Sequence, residues 1–305
     1  MNKLSIFKLC ACCLGVLLLY TPASVGENAL NLPAQQQLNK ADILHKLAQA
    51  DVVYLGETHD NPKDHETQLE IIEKLYSFTK QGIRKSSNSK IAIALEMFQR
   101  PYQSVINQYL AGKITAEQLV EQSEYQQRWG FPWEYYAPIL EFAKKHQIPV
   151  LALNTPSEVT RKVSRQGLDS LNQEDGKYIP PISEIRTDNQ EYRQLFEKLA
   201  GGHHQHLSGN SQKLDNFFTA QVLWDETMAD AIANFVKVNP DHQVIVLAGS
   251  GHIIYGYGIP SRVARRLKNG DTNKPQLIQR SLLLHPPEDY ELEINHQPLA
   301  DFIWK

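Results

Sequence analysis

The sequence predicts an α/β fold, a mostly parallel sheet with helices on both faces and a smaller helical domain. Two observations lead there. Four near-continuous apolar runs, at 52–55, 91–95, 149–153 and 244–248, are separated by stretches of helical periodicity. Strands that are apolar on both faces belong to parallel sheets covered on both sides. Each run also stops abruptly on polar or glycine-rich residues, as strands do at the ligand-binding edge of an open α/β sheet.

A chain of 305 residues suffices for one large α/β domain or a domain with insertions. Residues 1–26 stand apart. Lys3 and Lys8 precede twelve apolar residues at 9–20, and small residues follow at 21–26. Twelve is well short of the roughly 20 needed to span a bilayer, so this reads as a secretory signal peptide. The protein is therefore expected outside the cytoplasm, periplasmic or otherwise extracytoplasmic. Membrane contact is expected only through this segment if it stays uncleaved. Cys10, Cys12 and Cys13 all lie within it, so the remainder offers no disulfide, thiolate ligand or cysteine nucleophile. Hydrophobic content of 42% and charged content of 21% are ordinary for a soluble globular protein. A net charge of −3 gives no sign of nucleic-acid binding.

Residues 27–50 form a lead-in and a first helix, with Ile43, Leu44, Leu47 and Ala48 at helical spacing. The α/β core is assigned to 51–100, 138–160 and 240–305. Helical insertions at 101–137 and 161–239 form the smaller domain. After the first strand come Gly56-Glu57-Thr58-His59-Asp60-Asn61-Pro62. Asn at N-cap, Pro at N1 and Asp64 at N3 announce a helix, which places Glu57 and His59 in a strand-to-helix loop. His65 and Gln68 sit near the start of that helix and can face the same side. The second strand ends on Glu96, an unusual acid after five apolar residues. Residues 101–122 read as two short helices. The aromatic stretch 124–136 reads as a packing layer or the wall of a pocket for a flat ligand. A helix at 138–146 leads to the third strand, which ends on Asn154. Thr155-Pro156-Ser157-Glu158 opens a capped helix.

Residues 164–212 look least regular. They include Tyr178, Tyr192 and a tract with His203, His204 and His206, of a kind that binds metal or haem iron or is simply solvated. The longest helix, 215–236, carries an apolar stripe and a second, polar row, Gln221 and Asp225. The fourth strand ends in Gly249-Ser250-Gly251-His252. Arg265 and Arg266 are expected on a solvated helix face, Arg262 not. The segments at 277–284 and 291–294 read as edge strands.

Strand ends therefore carry Glu57, His59, Glu96, Asn154 and His252 to one edge of the sheet, with His65 beside them. Two imidazoles and two carboxylates there, Glu57, His59, Glu96 and His252, could hold a divalent metal or act as acid and base. The alternative is a hydrogen-bond network that ties the loops together.

The run 56–62 with His65 and Gln68 resembles the opening motif of the ChaN-like haem-binding uptake proteins. So do Ala94-Leu95-Glu96-Met97-Phe98, Ala152-Leu153-Asn154-Thr155-Pro156, the run 221–229, and Gly249 to His252 with Gly258-Ile259-Pro260-Ser261-Arg262. The resemblance adds Arg262 to the polar cluster of Glu57, His59, His65, Glu96, Asn154 and His252. It implies haem as ligand, a dimer interface at or near it, and a role in iron uptake. Residues 56–59, Glu96 and 249–252 also resemble motifs of metal-dependent proteases and hydrolases of the wider Tiki superfamily. A metal-dependent hydrolase using Glu57, His59, Glu96 and His252 is thus the alternative activity. No iron ligand of the family aligns onto a motif here. Tyr178, Tyr192, His203, His204 and His206 are the haem-binding candidates by chemistry alone.

Overall fold

The computed structural model describes residues 38–83, 90–201, 211–268, 277–288 and 290–305. The segment 1–26 and His203, His204 and His206 lie outside them. In chain order the helices are α1 (Lys40–Ala48), α2 (Pro62–Lys80), α3 (Gln103–Leu110), α4 (Ala116–Gln122), α5 (Tyr125–Arg128), α6 (Ala137–His146), α7 (Ser157–Gln166), α8 (Gln190–Gly201), α9 (Ser211–Val238) and α10 (Ile259–Leu267). The strands are β1 (Val52–Glu57), β2 (Lys90–Gln99), β3 (Val150–Asn154), β4 (His242–Gly249), β5 (Gln279–Leu284), β6 (Glu293–Ile294), β7 (Gln297–Pro298) and β8 (Phe302–Trp304). Among the described residues, no helix is long and apolar enough to cross a membrane.

Six strands form one sheet in the order β3-β2-β4-β1-β5-β8, and every pairing in it is parallel. Period-two alternation sorts their side chains onto two faces. Val53, Leu55, Ile93, Leu95, Ile245 and Leu247 join one buried cluster with α1, α2 and the aromatic stretch. Val52, Tyr54, Ala94, Val244, Val246 and Leu283 join another with residues of α7, α8, α9 and α10. The two insertions thus contribute to cores on opposite faces of the sheet. Truncating a fully buried Leu55 or Leu247 to alanine costs about 2–5 kcal/mol, so the sheet gives the loops above it a rigid base.

The chain leaves β1 towards α2 on one face. It leaves the neighbouring β4 towards α10 on the other. Adjacent strands whose connections depart on opposite faces open a crevice between their C-terminal ends. Pairing of Glu57 with Gly249 at the last rung places the two loops side by side there.

Several expectations need correction. The strand β5 is interior, paired with β1 and β8, and β8 is the edge. Residues 293–294 pair with 297–298 in a separate antiparallel hairpin. The irregular stretch after 164 contains α8, whose amphipathic start is hidden by the proline-rich residues before it. The helix α7 has no side-chain cap of its own. Instead, Gln99 reaches over from β2 and accepts from the Ser157 N–H at 3.2 Å. Arg265 and Arg266 are not simply solvated, because Glu226 of α9 is fully buried and takes bonds from both, at 2.6 and 2.8 Å.

Candidate functional site

The loop after β1 is shaped by its helix start. The Asn61 side chain caps α2, and buried Asp64 accepts from the Thr58 N–H at 2.8 Å and from Asn61 Nδ2 at 2.7 Å. This folds residues 57–61 back over the sheet. Glu57 is the hub. One of its oxygens sits 2.7 Å from His59 Nδ1 and takes the Tyr136 hydroxyl at 2.5 Å. The other takes Gln68 Nε2 at 2.6 Å. His65 is buried behind the cavity lining. Its Nε2 donates to the His59 carbonyl at 3.0 Å and its ring stacks on Tyr135 at 4.6 Å.

Glu96 owes its aim to a break in the ladder. Leu95 pairs with Ala152, but the next partner of β3's Asn154 is Gln99, so β2 carries two extra residues around Glu96. Bulges of this kind redirect a side chain. Its Oε2 accepts from the Gly249 N–H at 2.7 Å, and its Oε1 lies 3.4 Å from His252 Nε2. Burial alone would push the Glu96 carboxyl up. The charge and hydrogen bond of His252, the charge of His59 and the Gly249 N–H outweigh it and bring the carboxyl down to about 2. Asn154 stays at the rear, donating to the Glu96 carbonyl at 3.0 Å.

His252 is held from α9. Asp225 accepts from its Nδ1 at 2.7 Å, and Tyr192 of α8 donates to the other Asp225 oxygen at 2.7 Å. Gln221 lies 3.1 Å from His252 Nδ1 and 3.2 Å from the Tyr192 oxygen. Arg262 does not reach the pocket. It pairs with Glu226 at 3.3 Å and lies over the outer side of the Tyr192 ring, 5.3 Å from its centre. The loops are tied together by the Ser250 hydroxyl, which donates to the Glu57 carbonyl at 3.1 Å. Gly249 must be glycine for packing reasons, since a Cβ there would lie 2.7 Å from His59 Nε2.

These groups surround a cavity of about 180 Å³. Glu57, His59, Ser250, His252 and Gln221 supply its polar side, and Phe131, Leu195, Phe196, Leu199, Trp224 and Tyr290 its apolar side. Four predicted residues, Glu57, His59, Glu96 and His252, do converge. Their contacts run to one another, to Tyr136, Gln68, Asp225 and Gln221 and to the Gly249 N–H, and among the described residues no three His, Cys, Asp or Glu side chains are grouped to hold a metal ion. The hydroxyl of Tyr192 is committed to Asp225. Burial and the Asp225 charge push it above the usual tyrosine range. Tyr178 is half-buried and outside the cavity wall. The sequence-derived site omitted Asp225, Tyr136 and Gln68. Of these, Gln68 carries a signal in its place beside His65 near the start of α2, and Asp225 in the Gln221–Asp225 row at one-turn spacing; Tyr136 carries none beyond its aromatic stretch.

Comparison with known proteins agrees with this fold. The chain is 27% identical over 303 residues to protein RETICULATA-RELATED 5, chloroplastic, of Arabidopsis thaliana, covering 94% of this chain but 37% of that one. It therefore spans about a third of that relative's length. The solved structure described as cofacial heme binding to ChaN of Campylobacter jejuni aligns over 88% of this chain and 92% of its own, with a TM-score of 0.66 and 21% identity. An erythromycin esterase, EreC, in its open conformation aligns over 81% and 72%, with a TM-score of 0.46 and 16% identity. The model of the family described as haem-binding uptake, Tiki superfamily, ChaN matches residues 43–263, which include all of the pocket lining except Tyr290, and the chain belongs to that family.

Proposed function

We propose that the protein binds haem at the mouth of this pocket, outside the cytoplasm, and serves haem and iron uptake. The family match carries the reading, because residues 43–263 contain the whole polar cluster. The pocket fits the ring in one way. At about 180 Å³ the cavity lies below the roughly 300 Å³ at which ligand pockets begin, so most of the macrocycle would have to lie outside it. Phe131, Leu195, Phe196, Leu199, Trp224 and Tyr290 would meet its apolar faces. Haem iron bound there supplies redox and ligand-exchange chemistry, while the chain's own residues position the ring and exclude water from one side. For the iron ligand we favour His203, His204 or His206, which follow α8 in sequence, and Tyr178 or Tyr192, of which Tyr192 lines the cavity. The resemblance to ChaN-like proteins, which implies a dimer interface at or near the haem, supports a homodimer as the loaded state. Export rests on residues 1–26.

Titration of the purified chain with haemin, followed at the Soret band, tests this. A saturable shift is expected, with weakened binding when the three loop histidines become alanine and a doubled mass on size-exclusion chromatography. No saturable shift would overturn the haem reading, and an unchanged shift in the triple variant would move the iron ligand elsewhere. A mature N-terminus still at Met1 in an exporting host would reject signal cleavage.

A second reading has one observation in its favour. His59 and His252 each have a carboxylate on Nδ1 at 2.7 Å, the arrangement that orients a general base. Hydrolysis of a small ester by the haem-free chain, lost in His252→Ala, would favour a hydrolase. Retention of that rate in the variant would dismiss it.

A further inference from the structure

The cavity has a chemistry of its own, separate from any ring at its mouth. Its volume of about 180 Å³ suits a ligand built on one ring, since a dry cavity of about 150 Å³ takes up benzene. One side is apolar, with the rings of Phe131, Phe196 and Trp224. The other side is acidic. Glu57 and Asp60 line it, and Glu96 and Asp225 stand directly behind, facing His252 at 3.4 and 2.7 Å. Against these four carboxylates stand two imidazoles, His59 and His252, and among the described residues no Lys or Arg lines the cavity. Arg262 lies beyond the Tyr192 ring, paired with Glu226. The site is therefore negative whichever protonation state the imidazoles adopt. Two lining groups also spend hydrogens on the protein. The Ser250 hydroxyl donates to the Glu57 carbonyl at 3.1 Å, and Gln221 Nε2 donates to the Tyr192 oxygen at 3.2 Å. Each still offers an oxygen acceptor.

We propose that the cavity binds a small amphipathic ammonium, with its cationic head on the acidic side and a single ring or short branched chain against the aromatic wall. An ammonium brings three donors and no acceptor, which matches a lining of oxygen acceptors. Its charge is drawn by carboxylates across a partly enclosed site, where Coulomb attraction is several-fold stronger than in bulk water. Glu96 keeps its charge throughout the neutral range, because its carboxyl is held down at about 2. The apolar wall reaches the polar side at Trp224, whose ring centre is 6.1 Å from that of His252. A Trp face within about 6 Å of a cation attracts it further. An anion of the same size meets like charge here. A neutral alcohol finds the same acceptors but gains nothing from the carboxylate charge.

The test titrates the purified chain, without haem, with 2-phenylethylamine at pH 7 in a calorimeter. The neutral and anionic counterparts are 2-phenylethanol and phenylacetate. The amine should bind one to one, the alcohol at least about tenfold more weakly, and phenylacetate not measurably. Added salt should weaken the amine and leave the alcohol unchanged. Asp60→Asn removes an exposed lining charge and should weaken the amine about threefold, within the range of an exposed ion pair, with no change for the alcohol. Trp224→Leu should weaken both. Equal affinity for amine and alcohol, measurable binding of phenylacetate, or an unchanged amine affinity in Asp60→Asn would overturn the ammonium. So would the absence of saturable amine binding, and a haemin Soret shift retained in that case would leave haem binding standing. Amine binding without a saturable Soret shift would support this ligand and overturn the haem reading alone.

Discussion

His59 and His252 face one cavity, and each has its Nδ1 on a carboxylate at 2.7 Å. They are nevertheless built in different ways. Glu57 lies two residues from His59 at the start of the same loop, and it also takes bonds from Gln68 and Tyr136. Asp225 lies 27 residues from His252, on α9, and takes one from Tyr192. Behind Tyr192 stands a buried charge cluster in which Glu226 meets Arg262, Arg265 and Arg266. A pair formed within one loop is placed by that loop's helix start. A pair formed between distant elements needs its helix clamped, and the arginines of α10 clamp α9.

The largest effect should come from that clamp. Glu226 is fully buried, and Arg262 and Arg266 are nearly so. Glu226→Ala leaves buried guanidinium groups unpaired and is expected to cost about 3–5 kcal/mol, measured by urea unfolding. Among the described residues, the His59 side has no such arginine cluster. A loss under about 1 kcal/mol, the value of an exposed pair, would mean that the two sides are supported alike.

The same contrast decides what was legible in the sequence. Glu57, His59 and the Asn61-Pro62 cap are contiguous, so their loop could be read from order alone. Glu96 and His252 were found because each ends an apolar run. Asp225 was not assigned to the site, since one acid in a helix's polar row looks like any solvated residue until the fold turns it inward. Tyr136 was hidden in an aromatic stretch where core packing explains most rings. The irregularity that aims Glu96 is invisible in a strand whose residues 97 and 98 are as apolar as those before it. Sheet order was unreadable for a related reason: β5 looks like an edge strand because polar residues fill its first half, while its neighbour β8 is only three residues long.

A matched pair of deletions sharpens the comparison next. Tyr192→Phe removes a hydroxyl from Asp225, and Tyr136→Phe removes one from Glu57. A hydrogen bond to a charged group is worth about 1.5–3 kcal/mol. Glu57 keeps Gln68 and His59, at 2.6 and 2.7 Å, whereas Asp225 loses the only bond described to its Oδ2. The loss should therefore fall within that range for Tyr192→Phe and be smaller for Tyr136→Phe, both read from denaturant midpoints. Equal losses would show that the number of partners does not matter here.

Gly249→Ala probes the His59 side alone. The added Cβ meets His59 Nε2 at 2.7 Å and Cε1 at 2.9 Å, with Glu96 Oε2 next at 3.7 Å. Overpacking of this kind costs about 1–3 kcal/mol. The ring resonances of His59 should move in nuclear magnetic resonance spectra while those of His252 keep their positions. Movement of both rings together would mean that the two pairs behave as one rigid unit.

The smallest effect near neutral pH concerns Glu96, which joins the two sides. Its carboxyl is lowered from an ordinary value of 4.5 to about 2. A group with a depressed folded value binds protons more readily in the unfolded chain, so its contribution is complete above about 4.5 and is lost as pH falls towards 2. Other carboxylates titrate in this window, and Asp64, raised by burial, acts with the opposite sign. The difference between wild type and Glu96→Gln isolates the term. Gln keeps an acceptor for the Gly249 N–H but carries no charge for His252 or His59. The wild-type advantage should be constant from pH 7 to about 5 and shrink steadily as pH falls from about 4.5 towards 2. An advantage that shrinks instead between pH 7 and 5 would assign the linkage to an imidazole, and one that never shrinks would show that the Glu96 charge does not stabilise either histidine.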